Sequence, residues 1–389
     1  MASWLTLGGC IGIACGACRF QPGESTTSTA GDAPTLDGTT VDAPGCAVLQ
    51  VAASGNHACA RLADGSVWCW GDNERGESGR DPTTSPSCSG SACEPMPVQV
   101  ALSARADTLG LGYDDSCARS GSDVYCWGAN ASGEFGTGSM GDSSSPELIA
   151  ARAGATAIGG GYDVMCSLAG GVVSCSGGNT YGDLGNSSSS GSLTLATVET
   201  GAMVLGKGYR NTCAIASGAV SCWGDNSEDQ IDTSGQQRLA PASTGVTGAD
   251  QLVVGSYHVC AHTSAGAASC WGDNGYGQIG DGTNASPKTP TVVALTEIAA
   301  ISGSGYHTCA LRTDGTVWCW GENYTATPAQ VTLPARATQL SSGYVHDCAL
   351  LIDGTATCWG GDSYGQLGDG SMNANATNPP TKIAVCVGT

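Results

Sequence analysis

Cysteine and histidine are the residue types with chemistry to offer in this chain, and both recur at fixed intervals. Seven cysteine pairs stand nine or ten residues apart: Cys59/Cys69, Cys117/Cys126, Cys166/Cys175, Cys213/Cys222, Cys260/Cys270, Cys309/Cys319 and Cys348/Cys358. Four of the five histidines, His57, His258, His307 and His346, lie two residues before the first cysteine of a pair. Such groups could ligate a metal, react as thiolates or close disulfides. Zinc sites draw on tight knuckles with about two to four intervening residues and a second pair close by, which this spacing does not offer. Equivalent placement of histidine in separate units favours a repeated structural hydrogen bond over a catalytic base. His262 stands outside the pattern. No Gly-x-Ser-x-Gly, His-Glu-x-x-His or phosphate-cradling loop occurs, and the Asp-Gly dipeptides build no EF-hand loop. The sequence therefore predicts no catalytic residue, no metal site and no cofactor.

A disulfide across two strands needs its cysteines directly opposed, with Cα atoms within about 7 Å. A separation of ten leaves a three-residue loop ending in glycine at the midpoint: Ala63-Asp64-Gly65, Ser264-Ala265-Gly266, Thr313-Asp314-Gly315 and Ile352-Asp353-Gly354. That pattern is a type I turn followed by a left-handed residue, where glycine has no Cβ to clash. A separation of nine leaves two-residue loops containing glycine: Gly121-Ser122, Gly170-Gly171 and Ser217-Gly218. Counting outward from either loop places each pair at a non-hydrogen-bonded site, where facing Cα atoms approach to about 4.5 Å. The pairs are predicted to staple seven β-hairpins, each contributing an idealised stabilisation of about 2.5 to 3 kcal/mol.

Of the other cysteines, Cys88 and Cys93 lie five apart in a Ser/Pro/Thr-rich insertion that they are expected to clip. Cys46 and Cys386 flank the paired region and are expected to tie its first strand to its last. So many pairable thiols imply an oxidising compartment. Cys10, Cys15 and Cys18 fall in an uncharged, small-residue stretch from Ala2 to Cys18 that reads as the apolar part of an export signal. Small residues before each resemble bacterial lipoprotein cleavage sites: Cys18, which ends the apolar run, is the expected lipidation site, Cys10 has the better leucine at its −3 position, and an ordinary cleaved signal without lipid is the alternative. Residues 1–18 thus read as a leader. Residues 19–45 are Ser, Thr, Gly, Pro, Ala and Asp with almost no large apolar side chain, so they are expected to form a disordered tether. Residues 46–389 make up the folded part. No other segment is long and apolar enough to span a bilayer, so membrane attachment is expected only through the lipid.

The first cysteines of successive pairs are 58, 49, 47, 47, 49 and 39 residues apart, a period of solenoids and propellers. Aligned on the cysteines, the units share a longer motif. The second cysteine is followed by Trp in six units (Trp70, Trp127, Trp223, Trp271, Trp320, Trp359), with Ser176 in the third. Gly comes next in all seven, and two positions on stand Asn73, Asn130, Asn179, Asn226, Asn274, Asn323 and Asp362. Five units continue into Gly-x-x-Gly, and a short apolar strand precedes each first cysteine. This is a run of short strands punctuated by Gly, Asn and Asp, without helical periodicity.

Stretches such as GYHTCALRTDGTVWCWGEN and WGGDSYGQLGDG resemble the regulator of chromosome condensation repeat family, over residues 46 to 389. The resemblance implies an all-β fold, a seven-bladed β-propeller of four-stranded blades, with one cross-strand disulfide per blade. Radial closure leaves little exposed strand edge. Because the segment before Cys386 resembles the strand that opens each unit, one blade is expected to combine both ends of the chain. Under reduction the ring is expected to soften most at the third unit, which lacks Trp.

Chromatin-bound members of the family act as exchange factors for a small GTPase and carry basic nucleosome contacts. Here 14 Lys and Arg face 34 Asp and Glu, a net charge of −20, which excludes nucleic acid as a partner. What carries over is the scaffold. Tyr113, Tyr162, Tyr209, Tyr257, Tyr306 and Tyr344 precede the first cysteine by three or four residues in six units, so symmetry is expected to set them in a ring on one face. Tyrosine suits interfaces because it joins apolar area to a polar tip; packing between blades is the competing role. The insertion from Arg80 to Pro97 and the shortened sixth unit after Asn323 are further candidates, since function gathers where repeats deviate. The sequence reading is an exported, monomeric, envelope-tethered and non-enzymatic module that binds a macromolecule, expected to be a protein, with inhibition of that protein a concrete case. A carbohydrate-active extracellular enzyme and a surface-display module without a ligand are the alternatives.

Overall fold

The computed structural model describes residues 46–373 and 378–385. Seven antiparallel sheets follow one another along the chain, each made of consecutive strands. The second is representative: Thr108–Leu111, Asp115–Ser120, Asp123–Gly128 and Ser143–Leu148 pair in that order. The first strand of each sheet packs on the first strands of the sheets before and after it, and Val48–Ser54 packs on Ala337–Ser342. These contacts close a ring, so the first strands are innermost and the sheets are the blades of a seven-bladed propeller. Six blades have four strands; the first gains a fifth, Ser87–Cys88, from the insertion.

The turn chemistry read from the sequence sets the hairpin register. Gly65 lies at φ 83° in its three-residue loop, and the consecutive Ser217 and Gly218 lie at 51° and 80°, the left-handed pair of a type I′ turn. Each cysteine then falls opposite its partner, as in Cys166 opposite Cys175. All seven hairpin disulfides form, namely Cys59–Cys69, Cys117–Cys126, Cys166–Cys175, Cys213–Cys222, Cys260–Cys270, Cys309–Cys319 and Cys348–Cys358, with Cα atoms 4.0–4.1 Å apart. The second cysteine of a pair also faces the outermost strand of its blade: Cys222 stands opposite Ala242, Cys270 opposite Thr291 and Cys358 opposite Thr381. Every cysteine of these pairs is fully buried. Cys222, Cys270 and Cys358 are therefore interior staples like the rest, and none of the pairs offers a surface to a ligand. Cys88–Cys93 clips the insertion. Cys46 is disulfide-bonded; Cys386, its expected partner, lies outside the described residues, as do Cys10, Cys15, Cys18, the leader and the expected tether.

Six of the seven blades are joined to the one before by a tryptophan. Trp127 packs against the Cys59–Cys69 disulfide of the preceding blade, and Trp223, Trp271, Trp320, Trp359 and Trp70 meet the preceding blade's bridge in the same way. The indole N–H donates to the backbone of the preceding Gly-x-x-Gly loop: Trp127 Nε1 to Glu77 O at 2.8 Å, Trp320 Nε1 to Gln278 O at 2.9 Å, and Trp70 Nε1 to Gln366 O at 2.9 Å across the closure. The last glycine of that loop is needed for the approach, since a Cβ on Gly368 would meet Trp70 Cδ1 at 2.8 Å. The motif's Asn positions hold the loop itself, as Asn130 Oδ1 accepts from Phe135 N at 3.0 Å and Asp362 Oδ1 from Leu367 N at 3.0 Å.

One expectation is corrected. No sheet among the described residues combines the two ends of the chain: Val48–Ser54 is the innermost strand of the first blade and Asn378–Lys382 the outermost of the last. The repeat begins on an inner strand and ends on an outer one, so the ends fall at a blade boundary. That boundary is closed instead by Val51 N to Gln339 Oε1 at 3.2 Å, Ala53 N to Ser341 Oγ at 2.9 Å and the Trp70 contact. In the third blade other groups stand where the tryptophan is missing. Ser176 Oγ donates to Glu134 O at 2.8 Å, and the buried Arg152 guanidinium donates to Glu134 O, Met165 O, Phe135 O, Ser167 Oγ and Ser176 Oγ at 2.7–3.3 Å. Met165 packs against the Cys117–Cys126 bridge where other blades present tryptophan.

Candidate binding face

The second strand of a blade runs from the loop that carries the tyrosine to the Asp-Gly hairpin turn, so tyrosines and turns lie at opposite ends of the propeller. The tyrosine loops are tied to one another by backbone bonds, Tyr344 N to Gly55 O at 2.7 Å and Tyr162 N to Tyr209 O at 3.1 Å. Glycine permits this closeness: a Cβ on Gly55 would lie 1.9 Å from Tyr113 O.

The six tyrosines do not form an open ring. They converge into one run of touching aromatic rings, because innermost-strand loops converge on the axis and the side chains reach one another across it. Tyr113 meets Tyr162, Tyr209 and Tyr344 edge-on with centroids 5.4–5.6 Å apart. Tyr306 meets Tyr344 at 6.2 Å and Tyr257 at 6.1 Å. Such pairs contribute about 0.5–1.5 kcal/mol each beyond area burial. Tyr162 keeps 40% of its surface exposed, and the other five are half-buried. The packing role and a surface role are therefore combined in one cluster.

Carboxylates surround the cluster. Asp114 follows Tyr113, Asp163 follows Tyr162, and Asp72 ends the third strand of the first blade at the same end. Burial pushes Asp114 up to about 7, with the neighbouring Asp72 carboxylate adding to the shift, and burial raises Asp72 to about 6. Asp273 lies near Tyr306, and Glu322 near Tyr344. Between the third and fourth blades a small notch is lined by Tyr162, Asp163, Tyr181, Tyr209 and Arg210, among others. There the Arg210 guanidinium lies over the Tyr181 ring at 4.1 Å and the Tyr209 ring at 4.9 Å. Tyr181, Tyr276 and Arg210 are absent from the candidates that the sequence offers. The signal for two of them is present there, since Tyr181 and Tyr276 both stand two residues after the motif asparagine.

The histidines face inward, between blades. His57 Nε2 lies 2.9 Å from Ser116 Oγ, His258 Nε2 2.9 Å from Thr308 Oγ1, and His307 Nε2 3.0 Å from Asp347 Oδ1, in each case a residue of the following blade. His346 finds Ala58 at that position, and neither of its ring nitrogens has a partner. Burial lowers His57 and His258 to about 3 and His346 to about 4. His262 lies between Asp250 Oδ1 at 2.7 Å and Ile298 O at 3.0 Å. His307, Cys309 and Asp347 present ligand atoms close together, but Cys309 is bridged to Cys319 and offers no thiolate. Asp347 instead accepts from Tyr324 Oη at 3.0 Å, whose oxygen receives Trp359 Nε1 at 2.8 Å. Tyr324 thus supplies the acceptor lost with the Gly-x-x-Gly loop of the shortened sixth unit. The insertion of the first blade leans on the last, with Ser89 Oγ 3.1 Å from Ser363 O.

The fold defines the class, a seven-bladed β-propeller, and parts of the chain are similar to the regulator of chromosome condensation (RCC1) repeat. Models of that repeat match residues 48–77, 249–278 and 298–325, and a second model of it matches residues 266–311. Among solved structures, human WBSCR16 is similar at 18% identity and a TM-score of 0.73, covering 82% of this chain and 94% of that one. Prp20p from Saccharomyces cerevisiae is similar at 20% identity and a TM-score of 0.71, covering 82% and 86%. The yeast protein in its complex with Kap60 is similar at 18% identity and a TM-score of 0.70, covering 92% and 91%. At these identities the likeness is one of fold.

Proposed function

We propose that this protein is an exported, non-enzymatic binding module that engages a protein partner through the tyrosine-bearing face. The observation that carries the reading is the convergence of six tyrosines from six blades onto one end of the axis, partly open to solvent. Half-exposed tyrosines held rigid by their neighbours lose little entropy on binding, which is what an interface anchor requires. The histidines support the non-enzymatic part, because four of the five are engaged in hydrogen bonds within the fold. Eight disulfides among the described residues fit an oxidising environment and hence export. The same fold is put to protein binding elsewhere: Prp20p has binding properties to Gsp1p and histones, and it has been crystallised with Kap60.

The test is affinity capture from the native cell envelope with wild type and a Tyr113→Ala/Tyr162→Ala/Tyr209→Ala variant, each first shown to be folded by its melting curve. A partner held by the wild type and lost by the variant is expected. A partner held equally by both would remove this face from the interaction, and specific turnover of a polysaccharide would replace binding with catalysis.

A further inference from the structure

We infer that the boundary between the second and third blades is a binding site for a carboxylate on a short aliphatic stem, seated against Arg119 and the peptide N–H of Ile158. The site lies on the hairpin-turn half of the propeller, away from the tyrosines, and goes beyond the face proposed above.

Neighbouring inner strands are joined by a recurring side-chain bridge. Gln50, Thr108, Gln251 and Gln339 occupy one repeat position on the inner strands of the first, second, fifth and seventh blades, opposite the residue two after the first cysteine. Where that position is glutamine, its carboxamide reaches the next blade. Gln50 accepts from Leu109 N at 2.9 Å and donates to Leu109 O at 3.2 Å. Gln251 accepts from Ile301 N at 3.3 Å, and Gln339 from Val51 N at 3.2 Å. Leu109, Ile301 and Val51 are themselves equivalent, each opposite the residue after the first cysteine, and in the third blade the equivalent is Ile158. Like those of Leu109, its N–H and C=O point away from its own blade, because paired and unpaired residues alternate along the ladder. The residue that would bridge to it is Thr108, which is too short, and among the described residues no side-chain hydrogen bond reaches Ile158. The other boundaries without glutamine fill the place with apolar contact: Ala157 with Leu205, Val204 with Leu252 and Ala300 with Leu340 each pack against a shared core cluster. Leu109 and Ile158 pack in different clusters. Between them lies a cavity of about 140 Å³, lined by Thr108, Leu109, Arg119, Ala155, Ala157 and Ile158, among others.

Donors and apolar walls together set what fits. Cys117 meets Met165 of the third blade, and Arg119, two residues on along the same strand, projects the same way. Arg119 Nε is buried without a hydrogen-bond partner, and among the described residues no ion pair involves Arg119. Asp107, next to Thr108, is turned to the hairpin, where it accepts from Gly121 N. A carboxylate accepts from the guanidinium and the Ile158 N–H at once, and its charge strengthens both bonds. A cation would meet like charge at Arg119, and an uncharged apolar group would leave both donors unpaired. A cavity of about 150 Å³ admits benzene, so about six heavy atoms fit, the number in butyrate. Leu109, Ala155 and Ala157 give the stem apolar contact. A free short-chain acid and a glutamate side chain of a protein both carry this group, and the test separates them.

The probes are sodium butyrate, butyramide and a Gly-Ser peptide bearing one glutamate, titrated into the intact protein at physiological salt, where repulsion by the net negative charge is screened beyond about 8 Å. Amide resonances of protein labelled with nitrogen-15 isoleucine are the readout, Ile158 being assigned as the peak that Ile158→Val removes. Butyrate is expected to shift that resonance and to bind at least about fivefold more tightly than butyramide. Arg119→Met should weaken butyrate by about tenfold. Thr108→Gln should rebuild the bridge and abolish the butyrate shift without lowering the melting temperature, so that loss of binding is not loss of fold. Arg61→Met, at the equivalent position of the first blade where Gln50 already fills the place, should change nothing. A shift with butyrate alone assigns a free acid, and a shift with the peptide assigns a side chain of a partner. Equal binding of butyrate and butyramide, butyrate binding undiminished in Arg119→Met or Thr108→Gln, or an Ile158 resonance that neither butyrate nor the peptide moves overturns the inference. Each of these results leaves the tyrosine face standing.

Discussion

Arg152 Nη2 lies 2.7 Å from Ser176 Oγ, in a fully buried site where the other six blades place a tryptophan. A sequence gap in the third repeat has been filled from a short helical turn, Ala150–Arg152, that precedes the blade. The substitution of Arg152 by Ala would leave the Glu134 and Met165 carbonyls short of a donor and open a cavity. A loss of about 2–4 kcal/mol is expected from these two effects. Chemical denaturation with disulfides intact measures it, and Arg152→Ala/Ser176→Trp should recover part of the loss. A single variant as stable as wild type would refute the assignment.

The inter-blade histidine bonds give a paired prediction. Ser116→Ala removes the partner of the buried His57 and should cost about 1–3 kcal/mol. Ala58→Ser offers the unpartnered His346 the hydroxyl that Ser116 and Thr308 supply elsewhere, and is expected to gain about 0.5–1.5 kcal/mol. Thermal melts of the two variants at neutral pH should move in opposite directions.

His57, His258 and His346 are held neutral, with folded values of about 3, 3 and 4 against an ordinary 6.5. The unfolded chain binds more protons between those limits, so stability is full above pH 6.5 and is lost as pH falls toward 3–4. Asp114 acts in the opposite sense. Its folded value of about 7 exceeds the ordinary 3.8, so the folded chain binds the extra proton and stability falls as pH rises from about 4 to 7. Comparing urea midpoints at several pH values between 4 and 8 separates the two: Asp114→Asn should raise stability at pH 8 relative to wild type and make little difference at pH 4.

His307 and Asp347 form the one repeat histidine–carboxylate pair across a blade boundary among the described residues. Burial opposes both charges, but each partner favours the other's charged form, so His307 is raised and Asp347 lowered. The contribution of Asp347 is present above pH 3.8 and lost as pH falls through its lowered value. That of His307 is full below 6.5 and lost as pH rises through its raised value. The cost of Asp347→Asn, followed by denaturation across pH, should therefore be greatest between about 4 and 6.5 and shrink in alkali. A cost independent of pH would show that Asp347 acts only as a hydrogen-bond acceptor for Tyr324.

Blade number, strand pairing and the disulfides were legible because each is a short-range consequence of residue type. Glycine in a two- or three-residue loop fixes the turn, the turn fixes register, and register sets Cys166 opposite Cys175. The aromatic candidates were legible as positions, since repetition forces equivalent residues to one end of the fold. Their arrangement was not. Whether Tyr113 reaches Tyr209 across the axis depends on how far apart seven inner strands sit once the ring closes.

By itself the sequence determined a stapled β-repeat that must curl until its edges are covered, because local turns and recurring Trp and Gly leave no other way to bury the hairpins. Only the tertiary structure decided which residues compensate when a repeat deviates. Arg152 for the missing tryptophan, Tyr324 for the lost loop and Arg210 between two tyrosines each depend on contacts between separate blades or segments. Such contacts are set by distances across blade boundaries, and spacing along the chain carries no record of them.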